Sequence, residues 1–311
     1  MRLAFFVYPP YYEVAMKKLM LLINPNAGRG SYKTPLADIL QAFHKSGFVS
    51  TVFFTNGRAD ATRLAAEHAA DFDRVVCVGG DGTLSETISG LMQCPTRPTL
   101  GYIPMGTTND VAASLGLSSV PPVAAVTAAT GQPHTLDVGL FNGLEYFTYV
   151  AAFGAFTEVA YETPQNQKQA LGRLAYILSG MAALGRVTSH HVRVEWDGGT
   201  LEDDFVFGGV TNSRSIAGLV RLKDIADSTL SDGLFEIFLV RTPADAIDFA
   251  NIISSVLAND FTGENVILLR SSRVRFSFAA PVPWTRDGEA GGEHREVSCQ
   301  NLHAAIRIIA D

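Results

Sequence analysis

Three glycines and an aspartate stand together at Gly79-Gly80-Asp81-Gly82-Thr83, between an apolar run and a stretch of helical spacing. Glycines there let the backbone approach a phosphate closely, while free N–H groups and the helix dipole favour its negative charge. A carboxylate in the same turn would be repelled by bare phosphate. Asp81 therefore makes sense with Mg²⁺ between the two. The plainer alternative is a tight turn with a capping aspartate. The site favours phosphate, because open sheets bind ligands at the carboxyl edge of their strands.

Four other stretches could join it. Pro104-Met105-Gly106-Thr107-Thr108-Asn109-Asp110 also follows an apolar run and opens a helix. Thr107 is the candidate phosphate contact there, and Asp110 serves either the helix dipole or the site. Asn24-Pro25-Asn26-Ala27-Gly28 is a loop after a strand, and the adjacent Arg29 would put positive charge near a polyphosphate. Asp287-Gly288-Glu289 pairs two carboxylates; transfer to an alcohol benefits from one that accepts the hydroxyl proton while the other orients it or a metal. Thr229-Leu230-Ser231-Asp232-Gly233-Leu234 reads as a turn whose carbonyls and Asp232 could hold a hard cation. Taken singly, each of the last three is an ordinary turn.

These loops need a scaffold. Leu19–Ile23, Val49–Phe54, Val75–Val78 and Leu100–Ile103 read as buried strands. Helical spacing follows Thr34-Pro35, Asp60 (a candidate cap), Gly82 and Asn109. This βα repetition predicts a parallel sheet with helices on both faces, a three-layer α/β nucleotide-binding domain. The pattern changes beyond Pro121-Pro122 and Gly131-Gln132-Pro133. Closely spaced strand-like runs follow at Tyr146–Ala152, His191–Trp196, Asp204–Val210, Leu234–Val240, Val266–Leu269 and Val274–Phe278, with helices around Lys168–Leu184 and Ala244–Leu257. They predict an all-β-rich antiparallel sandwich. The expected division is 1–135 for the nucleotide domain and 136–300 for the sandwich.

Bulk properties narrow the function. The 311 residues suit two domains, and 47% hydrophobic with 18% charged residues is normal for a globular chain. A net charge of −7 argues against nucleic acid as a partner and confines any contact with an anionic membrane to a local patch. Three cysteines without CxxC spacing fit a reducing compartment, and the seven histidines show no ligand spacing. No apolar run approaches the ~20 residues of a spanning helix. Residues 1–15 read as an upstream start or as an aromatic arm touching a membrane.

Together LLINPNAG, VGGDGTLSE, PMGTTND, SDGLFE and RDGE, in this order, resemble the soluble bacterial diacylglycerol kinase catalytic family, lipid kinases related to sphingosine kinases. NAD kinases and phosphofructokinases are similar only around GGDGT. The resemblance runs from about Leu19 to Asp311. It implies ATP-binding positions at Asn24, Pro25, Asn26, Ala27, Gly28, Thr55, Gly80, Asp81, Gly82, Thr83, Leu84, Ser85, Glu86 and Thr107. It implies Asp81 as the carboxylate organising a catalytic Mg²⁺, Glu289 as proton acceptor and Asp287 as its partner. It implies Thr229, Asp232 and Leu234 as a structural Mg²⁺ site, mostly through backbone oxygens, and a nucleotide domain completed by about 301–311. Two stretches depart from the family pattern: 215–223, where a glycine-rich stretch with proline is frequent, and Arg286, where an apolar residue is common.

The expectation is an ATP-dependent lipid kinase acting on diacylglycerol or a similar lipid, cytoplasmic and peripheral to the membrane, for which a homodimer is compatible. Phosphatidylglycerol, undecaprenol-like alcohols and sphingoid bases stay open as acceptors. The competing readings are another small-molecule kinase such as an NAD kinase, and a nucleotide-binding regulatory module without turnover.

Overall fold

Leu19–Ile23 have no polar member, which suits a strand covered on both faces. In the computed structural model, which describes residues 16–33, 35–107, 109–154, 188–212, 215–216, 220–221, 230–258 and 263–311, they lie in β1 (Lys17–Ile23). β1 pairs in parallel with β2 (Phe48–Phe54) and β3 (Arg74–Gly79), and β3 with β4 (Thr99–Pro104). Parallel neighbours need crossovers. These are α1 (Leu36–Lys45), α2 (Asp60–His68) and α3 (Asp81–Leu91). Alternate strand residues face opposite ways. Leu19, Leu21 and Ile23 pack with Ile39 and Phe43 of α1, whereas Met20 and Leu22 pack with Leu64 of α2 and Ile88 of α3. The short α4 (Asp110–Ser114) and then α5 (Pro121–Thr130) follow β4.

The remaining strands are β5 (Gln132–Phe141), β6 (Glu145–Phe147), β7 (Val150–Gly154), β8 (His190–Trp196), β9 (Gly199–Thr211), β10 (Ser215–Ile216), β11 (Val220–Arg221), β12 (Phe235–Arg241), β13 (Val266–Ser271), β14 (Arg273–Arg286) and β15 (Glu289–Ala310), with α6 (Ala246–Ala258) between β12 and β13. All but one of their pairings are antiparallel. They enclose a second core in which Phe141, Phe153, Phe276 and Trp284 meet ring to ring. The exception is β15. It pairs with β14, then with β5, and finally aligns in parallel with β4 at Ile308↔Leu100. One strand thus joins the sandwich to the parallel sheet.

Three expectations change, and one helix is added to them. Asp60 is not a cap: Ala59 holds the cap position at φ 62, and the Asp60 carboxylate accepts the Asn56 N–H and pairs with Arg63. The Pro121 segment is a helix, α5, whose small apolar residues lack the polar stripe that marks an amphipathic helix. The run Tyr146–Ala152 is two strands, because the N–H groups of Thr148, Tyr149 and Val150 turn to Asp287. The strand at Val274–Phe278 continues to Arg286 with a shift of register after Ser277. Thr34 and the helix expected at Lys168–Leu184 lie outside the described residues, as does most of 215–223.

Candidate active site

The loops after β1, β2, β3 and β4 share the carboxyl edge of the parallel sheet. Asn24 organises the first: its Oδ1 accepts the Asn26 N–H at 2.9 Å, and its Nδ2 donates to Thr83 Oγ1 at 2.9 Å. The Thr55 N–H, just after β2, donates to the Ile23 carbonyl. Gly80 and Gly106 bring the third and fourth loops together. A Cβ on Gly106 would stand 2.6 Å from the Gly80 Cα and 2.7 Å from Asn109 Oδ1. Only glycine permits this approach. Asn109 takes φ 53 and bonds Gly106 through both its amide N–H and its carbonyl oxygen, closing the loop before α4.

Asp81 opens α3. Its Oδ2 accepts the Asp110 N–H at 3.1 Å, so the two helix starts meet at this carboxylate. Burial pushes the Asp81 carboxyl up from its ordinary value, the backbone N–H groups oppose that, and the Asp110 charge adds to it. A divalent cation beside two hard carboxylates would offset their repulsion, so this donor set fits Mg²⁺. One helical turn on, Ser85 Oγ donates to Asp287 Oδ2 at 2.5 Å. Glu86 faces α2 instead, accepting the N–H groups of Ala59 and Ala61. Leu84 is core, and Thr107 is exposed.

Asp287 sits at φ 47 in the turn between β14 and β15. Besides Ser85, it accepts the N–H groups of Thr148 (2.7 Å), Tyr149 and Val150 (both 2.9 Å). Burial still pushes its carboxyl up, against the effect of these donors. Two residues on, Glu289 is 55% exposed and pairs with Arg58 at 2.7 Å. Asp81 and Glu289 therefore belong to one neighbourhood, joined through one turn of α3 and the Asp287 hairpin. Tyr149 links them again, since its phenol donates to Asp110 Oδ2 at 3.0 Å while its N–H holds Asp287.

The 230–234 loop is bonded to β5 and β13. Asp232 Oδ2 accepts Arg270 Nη2 at 2.7 Å, and its Oδ1 accepts the Leu234 N–H. Fully buried Asp137 binds this loop through the Gly233 N–H, and β15 through the Ala304 N–H and His303. Thr229 lies outside the described residues. Arg286, the cross-strand partner of Glu289, bonds Glu145 at 2.7 Å over the Phe141 ring. His294 bonds the Gly291 carbonyl. Among the described residues there is no cluster of three His, Cys, Asp or Glu side chains that could hold a metal alone. Sequence reasoning missed Arg58, Tyr149 and Asp137. Their partners lie far along the chain, and only the lone acid in the apolar run Leu136–Phe141 offered a signal.

Residues 18–141 match the diacylglycerol kinase catalytic domain, and residues 150–310 match the YegS C-terminal NAD kinase beta sandwich-like domain. A diacylglycerol kinase of Bacillus subtilis is 35% identical over 280 residues, covering 89% of this chain and 91% of the relative. One from Staphylococcus aureus is 32% identical over 299 residues, covering 94% and 92%. A crystal structure of a Bacillus anthracis protein superposes with a TM-score of 0.80 at 25% identity, covering 98% of this chain and 99% of that one. The chain belongs to the diacylglycerol kinase catalytic family.

Proposed function

We propose that this protein transfers the γ-phosphoryl group of ATP to the hydroxyl of diacylglycerol or a similar lipid. The observation that carries the reading is the Ser85–Asp287 hydrogen bond, which fastens the acidic hairpin to the helix that begins at the glycine turn. In this reading the Asn24–Gly28 loop, Thr55, the Gly80–Thr83 turn and Thr107 receive the nucleotide. Asp81, with Asp110 beside it, would hold Mg²⁺, which when bound neutralises charge on the phosphate oxygens.

Glu289 accepts the hydroxyl proton, because its carboxylate is open to solvent while four donors occupy that of Asp287. The lipid oxygen forms a bond to the γ-phosphorus as the bond to the β–γ bridging oxygen breaks. ADP leaves with that electron pair. A structural Mg²⁺ suits the 229–234 loop less well, since Arg270 already offsets the Asp232 charge, and no step is derived through it.

We further infer a three-layer nucleotide domain of 1–135 with 301–311, and a sandwich domain of 136–300 that approaches the lipid. No helix among the described residues is long and apolar enough to cross a membrane; the lipid acceptor of the proposed reaction is what calls for peripheral docking, proposed here from the cytoplasmic side. The test is radiolabelled phosphate transfer from ATP with diacylglycerol in mixed micelles, with NAD, and with a lipid extract read by mass spectrometry. Label in the diacylglycerol arm is expected. Label in NAD alone would overturn the reading, as would ATP binding without transfer to any acceptor.

A further inference from the structure

Arg58 and Glu289 meet at 2.7 Å, and both are mostly exposed, at 65% and 55%. Arg58 comes from the loop between β2 and α2, three residues beyond Thr55 and at the same sheet edge as the glycine turns. The next residue, Ala59, takes φ 62 and donates its N–H to Glu86 Oε1 at 2.8 Å. A non-glycine residue in that left-handed region is strained. Here a carboxylate of α3 holds it, and with it the base of the Arg58 side chain. Neighbouring arginines are committed elsewhere: Arg63 bonds Asp60 and Glu67, and Arg286 bonds Glu145.

The reaction sets a further constraint. A base accepting the hydroxyl proton lies about 3 Å from the attacking oxygen, which stands about 3–3.5 Å from phosphorus. A guanidinium 2.7 Å from that carboxylate is therefore within one side-chain swing of the transferring phosphoryl group. We propose that Arg58 is a catalytic cation of this transfer: it holds Glu289 before the substrates bind and moves onto the γ-phosphoryl oxygens of ATP during the reaction. This inference rests on the reading of Glu289 as proton acceptor.

The energetics favour such an exchange. An exposed ion pair contributes little to stability, so leaving Glu289 costs little. A guanidinium–phosphate contact offers parallel N–H bonds and is the stronger partner. As Arg58 leaves, the Glu289 oxygen becomes free for the hydroxyl proton, and the guanidinium meets charge developing on the phosphoryl oxygens.

The experiment uses R58Q, R58K and E289Q in the full chain. Single-turnover transfer to diacylglycerol micelles is measured beside equilibrium binding of ADP and of a non-hydrolysable ATP analogue. R58Q is expected to slow transfer by about 100-fold or more. It is expected to weaken analogue binding about tenfold and ADP binding less than about twofold, since only the γ-phosphate contact is lost. Its melting temperature stays unchanged, and R58K recovers part of the rate. R58Q with transfer and analogue affinity near wild type would overturn the inference. So would equal loss of both nucleotides with a lowered melting temperature. An E289Q enzyme with wild-type turnover would remove the base assignment itself, whereas an inactive E289Q beside a fully active R58Q removes Arg58 alone.

Discussion

Two carboxylates separated by one glycine have opposite environments. Asp287 is buried and receives four donors, whereas Glu289 stands in solvent against Arg58. The first is an anchor and the second is available for a proton. Burial raises the Asp287 carboxyl above its unfolded value, so protonation favours the folded state. Its contribution to stability is full below the unfolded carboxylate range and is lost as pH rises through the higher folded value. Urea unfolding over a pH series is expected to show this loss in the wild type and a flatter profile in D287N. Equal slopes in the two proteins would contradict the burial argument. Read alone, Asp287-Gly288-Glu289 was an ordinary turn, and only the family resemblance singled the two carboxylates out. Tyr149 escaped both, because its phenol and N–H reach Asp110 and Asp287, which are 39 and 138 positions away.

At the scale of elements, α3 organises the site. Asp81 and Ser85 are four residues apart and so share a helix face, and the adjacent Glu86 caps the start of α2. One helix therefore fixes the glycine turn, the acidic hairpin and the loop that carries Arg58. The glycine pair sets the remaining distance. G106A would force its Cβ against the Gly80 backbone at 2.6 Å. Overpacking of this kind costs about 1–3 kcal/mol. G106A is expected to lower the melting temperature and weaken ATP-analogue binding; a variant with unchanged affinity would show that the two loops need not touch. The close approach of the two glycine loops was legible because glycines after apolar runs mark backbone approach. Helix α5 was not: Ala124, Ala125 and Ala128 pack on the sheet while Val123 and Val126 are half-exposed, so no polar face announces a helix.

At the scale of the molecule, the active site depends on how two cores are held. β15 runs from Glu289 in the acidic turn to Ala310 beside the parallel sheet, and Asp137 clasps it where its register shifts. Mechanism and architecture share one strand, so the position of Glu289 follows from pairings at the far end of the chain. The alternation of βα units and then strands was readable from apolar periodicity. The span of β15 was not, since Gly291, Gly292 and a series of charged residues hide its first half. The most direct test of the account is transfer of labelled phosphate from ATP to diacylglycerol by E289Q, with ATP-analogue affinity and melting temperature measured on the same preparation. Loss of a general base predicts a fall of about 100-fold or more in transfer, with affinity and melting temperature close to wild type. Wild-type transfer by E289Q would contradict the account.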